Sequence, residues 1–175
     1  MAAPIILPNK GRLPVIAADA FIAPGAVVVG DVVIGTGSSV WFNCTVRGDV
    51  HEIRIGERTN IQDGTVVHVT GGRFGTYIGS GITIGHGAIL HACTLEDDCF
   101  IGMGATVMDG VVVESGAMVA AGAVVTPAKR VKAGELWGGS PAKPMRELKP
   151  EEVAFFAKSA ANYVALAAQY RAEIG

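Results

Sequence analysis

Residues 67–95 read VHVTGGRFGTYIGSGITIGHGAILHACTL, and two patterns overlap in them. Aliphatic residues recur at a spacing of six (Ile78, Ile84, Leu90), the first two followed directly by glycine. Three of the four histidines, His68, His86 and His91, stand in the same stretch. The spacing extends both ways: Ile16, Ile22, Val28, Ile34, Val40 and Val46, then Ile55, Ile61 and Val67. Beyond the stretch come Leu95, Ile101, Val107, Val113, Val119 and Val125. Small residues such as Ala26, Cys44, Thr65, Ala88 and Ala105 recur four positions after the aliphatic ones. A period of six fits neither the helical 3.6 nor the two-residue alternation of an ordinary strand. It fits an all-β solenoid, whose coils each bury an interior face against the next.

The rest of the composition agrees. Half of the 175 residues are apolar, only 6% are aromatic, and there are 24 glycines. Small β-branched side chains with regular glycine suit short strands and tight turns. A net charge of −2 gives no basic footprint for nucleic acid. No apolar run approaches the roughly 18 residues of a membrane span. The N-terminus MAAPIILPNKGR lacks a basic start followed by a long apolar stretch, so a cytoplasmic protein is expected. Cys44, Cys93 and Cys99 have no CxxC spacing and read as buried apolar residues in a reducing compartment.

Three breaks in the period matter. Nine residues separate Val46 from Ile55, eleven separate Val67 from Ile78, and five separate Leu90 from Leu95. The first two predict loops at Gly48–Arg54 and Val69–Tyr77, and loops are where function concentrates. With three repeats per coil, Val46, Val67 and Leu90 stack on one wall, followed by Arg47, His68 and His91. His68 and His91 are then about 4.8 Å apart at the backbone. Two imidazoles at that separation can share a metal at about 2.0–2.1 Å each. Ile61 and Ile84 stack on another wall, each followed two residues later by a polar group, Asp63 and His86. At about 3.3 Å per extended residue, His86 lies up to about 16 Å from His91. The triad therefore calls for His86 of one chain to meet His68 and His91 of another. His51 falls outside the columns and reads as a surface residue.

After Val125 the pattern changes. Residues 126–149 contain Pro127, Pro141 and Pro144 and read as an irregular strap closing the solenoid of residues 1–125. Pro150 opens a helix over 150–175, with Glu151 and Glu152 in its first turn. Val153, Phe156, Ala160, Tyr163, Ala167 and Tyr170 keep helical spacing on the face expected to pack on the solenoid.

Taken together, WFNCTVRGD (41–49), IGERTNIQDGTVVH (55–68), IGHGAILHAC (84–93), IGMGATVMDG (101–110) and LWGGSPAKPMREL (136–148) resemble the γ-class carbonic anhydrases. The resemblance covers nearly the whole chain. It implies a left-handed triangular β-helix and a homotrimer with metal sites shared between subunits. It implies that His68, His86 and His91 bind Zn2+, with Fe2+ or Co2+ acceptable to the same imidazoles. Arg47 and Asp49 match an interface pair beside the site, and Asn60, Gln62 and Asp63 match the NxQD segment. Gln62 is implied to orient the nucleophile, Arg47 to help hold the bicarbonate anion, and Tyr163 to reach the pocket from the helix. The implied reaction is reversible hydration of carbon dioxide by metal-activated water. Against archaeal members, VTGGRFGTY after His68 lacks a proton-carrying carboxylate, and Val50 replaces a glutamate. Glu52 is the remaining candidate for that task. Three other readings share the scaffold: a metal-dependent thioesterase, a hexapeptide acyltransferase with one His as base, and a structural subunit with a silent metal site.

Overall fold

The computed structural model describes residues 3–174 and shows a left-handed parallel β-solenoid with one C-terminal helix. Among the described residues, each of its three walls stacks seven parallel strands. The first wall stacks Ile5–Leu7, the first halves of Val27–Ile34 and Thr45–Ile55, then Val66–His68, Ile89–His91, Thr106–Val107 and Val124–Val125. The second stacks Val15–Ile16, the second halves of the same two long strands, then Thr76–Ile78, Thr94–Leu95, Val112–Val113 and Arg130–Val131. The third runs from Phe21–Ile22 through Ser39–Val40, Asn60–Ile61, Thr83–Ile84, Phe100–Ile101 and Met118–Val119 to Glu135–Gly139. The residues that set the period point inward and form the buried core; Val28, Ile61, Leu90, Ile101 and Val125 are fully excluded from solvent. Each buried methylene contributes about 0.8 kcal/mol, and parallel ladders hold the coils in register.

Several expectations need correction. The walls hold three strands beyond the repeats that run from Ile16 to Val125: Ile5–Leu7 pairs with Val27–Val29 ahead of the first, and Arg130–Val131 and Glu135–Gly139 follow the last. Residues 126–149 are not an irregular strap. Val131 and Trp137 continue the spacing of six from Val125, and their strands pair in register with Val113 and Val119. Ala142–Glu147 then closes the third wall antiparallel to Glu135–Gly139. The prolines disguise this, because Pro127 sits in a turn and Pro144 on the last, edge strand, where a missing N–H costs nothing.

Gly48–Arg54 is likewise not a loop. Thr45–Ile55 is one continuous strand that turns a corner beside Val27–Ile34, and three extra residues bulge outward between them. Gly30 pairs with Gly48 there, with φ at +80°, and a Cβ on Gly30 would sit 2.3 Å from the Gly48 carbonyl oxygen. The second excursion is a loop, at residues 69–75, before the strand Thr76–Ile78.

The helix α1 (Pro150–Ile174) lies along the third wall and returns to the first coils. Phe156 stacks on Phe100 at 5.1 Å, Tyr163 and Tyr170 meet Trp41 edge-on, and Arg171 binds the carbonyls of Ala18 and Asp19. Its buried face is Phe156, Ser159, Ala160 and Ala167; Val153 is exposed, because the helix docks turned toward Ser159. Among the described residues, no helix is long and apolar enough to cross a membrane.

Candidate metal centre

His68 and His91 pair directly across the parallel strands Val66–His68 and Ile89–His91. Their rings face each other, with His68 Nδ1 and His91 Nε2 3.1 Å apart. The outer nitrogens are both engaged. His68 Nε2 is 3.0 Å from Asp49 Oδ1, and His91 Nδ1 is 2.6 Å from Asp109 Oδ1. A carboxylate only accepts, so each imidazole carries its proton on the outer nitrogen. Two lone pairs are thereby turned on one another. With both rings neutral that contact is repulsive, and either a shared proton or a metal cation between the rings relieves it. Two nitrogens on one tetrahedral zinc at about 2.0–2.1 Å stand about 3.3 Å apart, close to the spacing observed. The donor set at this corner fits a divalent metal.

Partial burial raises the pKa of Asp49, but hydrogen bonds from His68 and Arg47 outweigh it and hold the carboxyl below its ordinary value. Asp109 behaves alike, with Thr70 and His91 as the donors. Both acids stay ionised as acceptors behind the histidines.

His86 sits at a different corner, in the turn between Thr83–Ile84 and Ile89–His91. Its Nδ1 is 2.7 Å from Asp63 Oδ2, so it too has a carboxylate behind it, and nearly half of its side chain is exposed. Among the described residues of one chain, no three His, Cys, Asp or Glu side chains converge into a metal-holding group. The structure thus brings two of the sequence-derived ligands together and leaves the third facing outward.

Near His86 a cavity of about 350 Å3 opens between α1 and the third wall, lined by Gln62, Tyr163, Met103, Phe100 and Phe155 among others. A buried hydrogen-bond chain runs beneath it. Asn60 Nδ2 donates to Thr83 Oγ1 at 3.0 Å, Thr83 meets Ser159 of α1 at 2.9 Å, and Gln62 Nε2 donates to Asn60 Oδ1 at 3.1 Å. With its amide nitrogen tied to Asn60, Gln62 has its carbonyl oxygen free to face the cavity. Tyr163 packs on Trp41 and also lines the cavity; burial and the nearby charge of Asp63 raise its pKa.

Two site expectations change. Glu52 is not a free proton carrier: Tyr77 Oη donates to it at 3.0 Å and Arg54 pairs with it at 2.7 Å. His51 is half-buried rather than a surface residue, with Nδ1 accepting the Glu52 amide, because the bulged strand folds it back. Arg47 pairs with Asp49 of its own chain, beside the histidine column. The cysteines are free and buried; burial pushes Cys44 up to about 11 and Cys93 to about 12, so they pack as thiols and are not ligands. Sequence reading missed Asp109, Thr70, Thr83 and Ser159. Asp109 carried one signal, its place one coil above His91 at the same corner.

These features define a hexapeptide-repeat β-helix with histidine–carboxylate pairs on two of its corners. A model of the bacterial transferase hexapeptide (six repeats) matches residues 14–48 and 92–127. A mitochondrial γ carbonic anhydrase 2 of Arabidopsis thaliana is 52% identical over 167 residues, 93% of this chain. The chain spans 60% of that plant relative's length. A carbonic anhydrase of Geobacillus kaustophilus is 39% identical, with 96% of this chain and 92% of that one covered. A crystal structure of a hexapeptide transferase family protein from Anaplasma phagocytophilum superposes with a TM-score of 0.92 at 49% identity, covering 95% of this chain and 98% of that one. The chain belongs to the γ-carbonic anhydrase family of hexapeptide-repeat proteins.

Proposed function

We propose that this protein catalyses the reversible hydration of carbon dioxide to bicarbonate as a metal-dependent homotrimer. The observation that carries the reading is the 3.1 Å approach of His68 Nδ1 to His91 Nε2, with a carboxylate behind each ring. His68 and His91 of one chain and His86 of a neighbour would hold the metal. When bound, a divalent ion such as Zn2+ acidifies water and so supplies a nucleophile at neutral pH. Fe2+ or Co2+ suits the same three imidazoles.

The chain's own groups do the rest. Asp49, Asp63 and Asp109 hold the imidazole protons on the outer nitrogens and keep the inner ones available. Gln62, tied to Asn60, offers its carbonyl oxygen to the proton of the attacking oxygen and so orients it. Arg47 stands at the end of the histidine column, where its charge favours the bicarbonate product. Tyr163 and the apolar cavity wall exclude water from the side of α1. The trimer is supported by the first wall, where Val66 and Ile89, next to the histidines, expose 40% and 45% of their surface. Apolar side chains bare to that extent beside a half-made site suit a subunit contact. The reading places the protein in the cytoplasm, where its free thiols stay reduced.

A second reading rests on the cavity itself. About 350 Å3 of mostly apolar space exceeds what carbon dioxide needs and would admit the acyl part of a thioester. The test is elemental analysis of the pure protein with stopped-flow carbon dioxide hydration, run beside an acyl-CoA hydrolysis assay. Near-stoichiometric metal with hydration activity is expected. A metal-loaded trimer that hydrolyses acyl-CoA and leaves carbon dioxide untouched would replace this reading with the second.

A further inference from the structure

The excursion at 69–75 carries no acid to export protons, yet it is built and held in a definite way. Thr70 and Phe74 close it on themselves, the Thr70 amide donating to the Phe74 carbonyl at 3.0 Å and the Phe74 amide returning at 3.2 Å. This pins the backbone of Thr70 and aims its hydroxyl at the next corner turn, where it donates to Asp109 Oδ2. The other oxygen of that carboxylate accepts from His91 Nδ1. The turn that carries Asp109 is itself tied beside the histidine, because the Gly110 amide donates to the Ala92 carbonyl at 2.8 Å. Asp109 is therefore clamped from two sides before it touches His91.

We propose that Thr70 and Asp109 are positioning residues that fix the ring plane and the Nδ1–H tautomer of His91, so that its Nε2 is presented inward. The excursion at 69–75 is the buttress of a ligand, and this inference rests on the metal-site reading above. The chemistry is direct. A neutral imidazole has one proton to place, and a carboxylate 2.6 Å from Nδ1 claims it there. Without Asp109 the proton can move to Nε2, and the lone pair a metal needs is lost from the inner side. His68 has the same arrangement on its own side, with Arg47 steadying Asp49 as Thr70 steadies Asp109.

The test measures zinc affinity of the assembled protein by chelator competition, and the His91 tautomer by 15N spectra of the metal-free protein. Asp109→Ala is expected to weaken zinc binding about 10–100-fold. It should also shift His91 from the Nδ1–H form toward Nε2–H. Thr70→Val should weaken binding about 3–10-fold, the worth of one hydrogen bond, and Thr70→Ser should restore it. Asp109→Asn can still accept from Nδ1–H; it should keep the tautomer and bind zinc with intermediate affinity, and it carries the test if Asp109→Ala does not assemble. Parental affinity and tautomer in Asp109→Ala, or in Asp109→Asn and Thr70→Val together, would overturn the inference while leaving the metal site standing. A parent protein that takes up no zinc would overturn both.

Discussion

The corner of His68 and His91 and the corner of His86 come from the same six-residue repeat, yet they are finished differently. The first is nearly complete within one chain: two rings in register, two carboxylates behind them, and a threonine and an arginine behind those. The second offers one half-exposed ring with one carboxylate, but beside it lie the cavity, Gln62 and the helix. One corner sets two imidazoles side by side; the other sets a single imidazole beside the cavity under the helix. The difference supports the proposed reading, in which unlike corners of neighbouring chains join into one site.

The largest effect should come from removing the single ligand. His86→Ala is expected to abolish stoichiometric zinc as fully as His68→Ala, by elemental analysis. Full zinc of parental affinity in His86→Ala would show that the two corners do not cooperate. Next, Leu90→Ala removes a fully buried side chain on the strand that carries His91 and should cost about 2–5 kcal/mol in denaturant unfolding. It sharpens the comparison if metal affinity falls with stability, since the histidine pair depends on coil register.

Thr83→Val cuts the chain that holds Asn60 and Gln62 at the pocket corner. Zinc content should stay parental while kcat for hydration falls about 3–10-fold, the worth of one hydrogen bond. An unchanged kcat would separate Gln62 from that chain. The smallest effect lies far from both corners. Arg146 pairs with Glu152, the Lys149 amide donates to it as well, and together they depress its pKa to about 2 from 4.5. A depressed carboxyl stabilises the fold above its unfolded pKa and loses that contribution as it protonates. The first turn of α1 should therefore loosen as pH falls from about 4.5 to about 2, and Glu152→Gln should remove this step from a helix-monitored acid titration.

Much of this was legible in the residues. The spacing of six and the count between Val67 and Leu90 place His68 against His91, because parallel strands cannot slip register without exposing a whole core column. Other features were hidden for specific reasons. Counting residues from Val46 to Ile55 reveals an excess but cannot tell a loop from a strand that bulges around a corner. Prolines at 127, 141 and 144 masked Val131 and Trp137, although both keep the period. Asn60 and Thr83 point outward on their wall and are buried only because α1 covers it. No periodicity reports where a helix docks, and so Ser159 was missed while Val153 was expected on the buried face.

The amino-acid order alone settled the repeat, the coil and the histidine column, since these follow from a period and a stacking distance that local backbone geometry imposes. Only the folded chain decided which carboxylate stands behind each ring, that Glu52 is spent in an ion pair, and that the helix roofs a cavity over Gln62. Those outcomes depend on side chains meeting across coils many residues apart, where the reach of a few ångströms, and not the spacing along the chain, determines which groups pair.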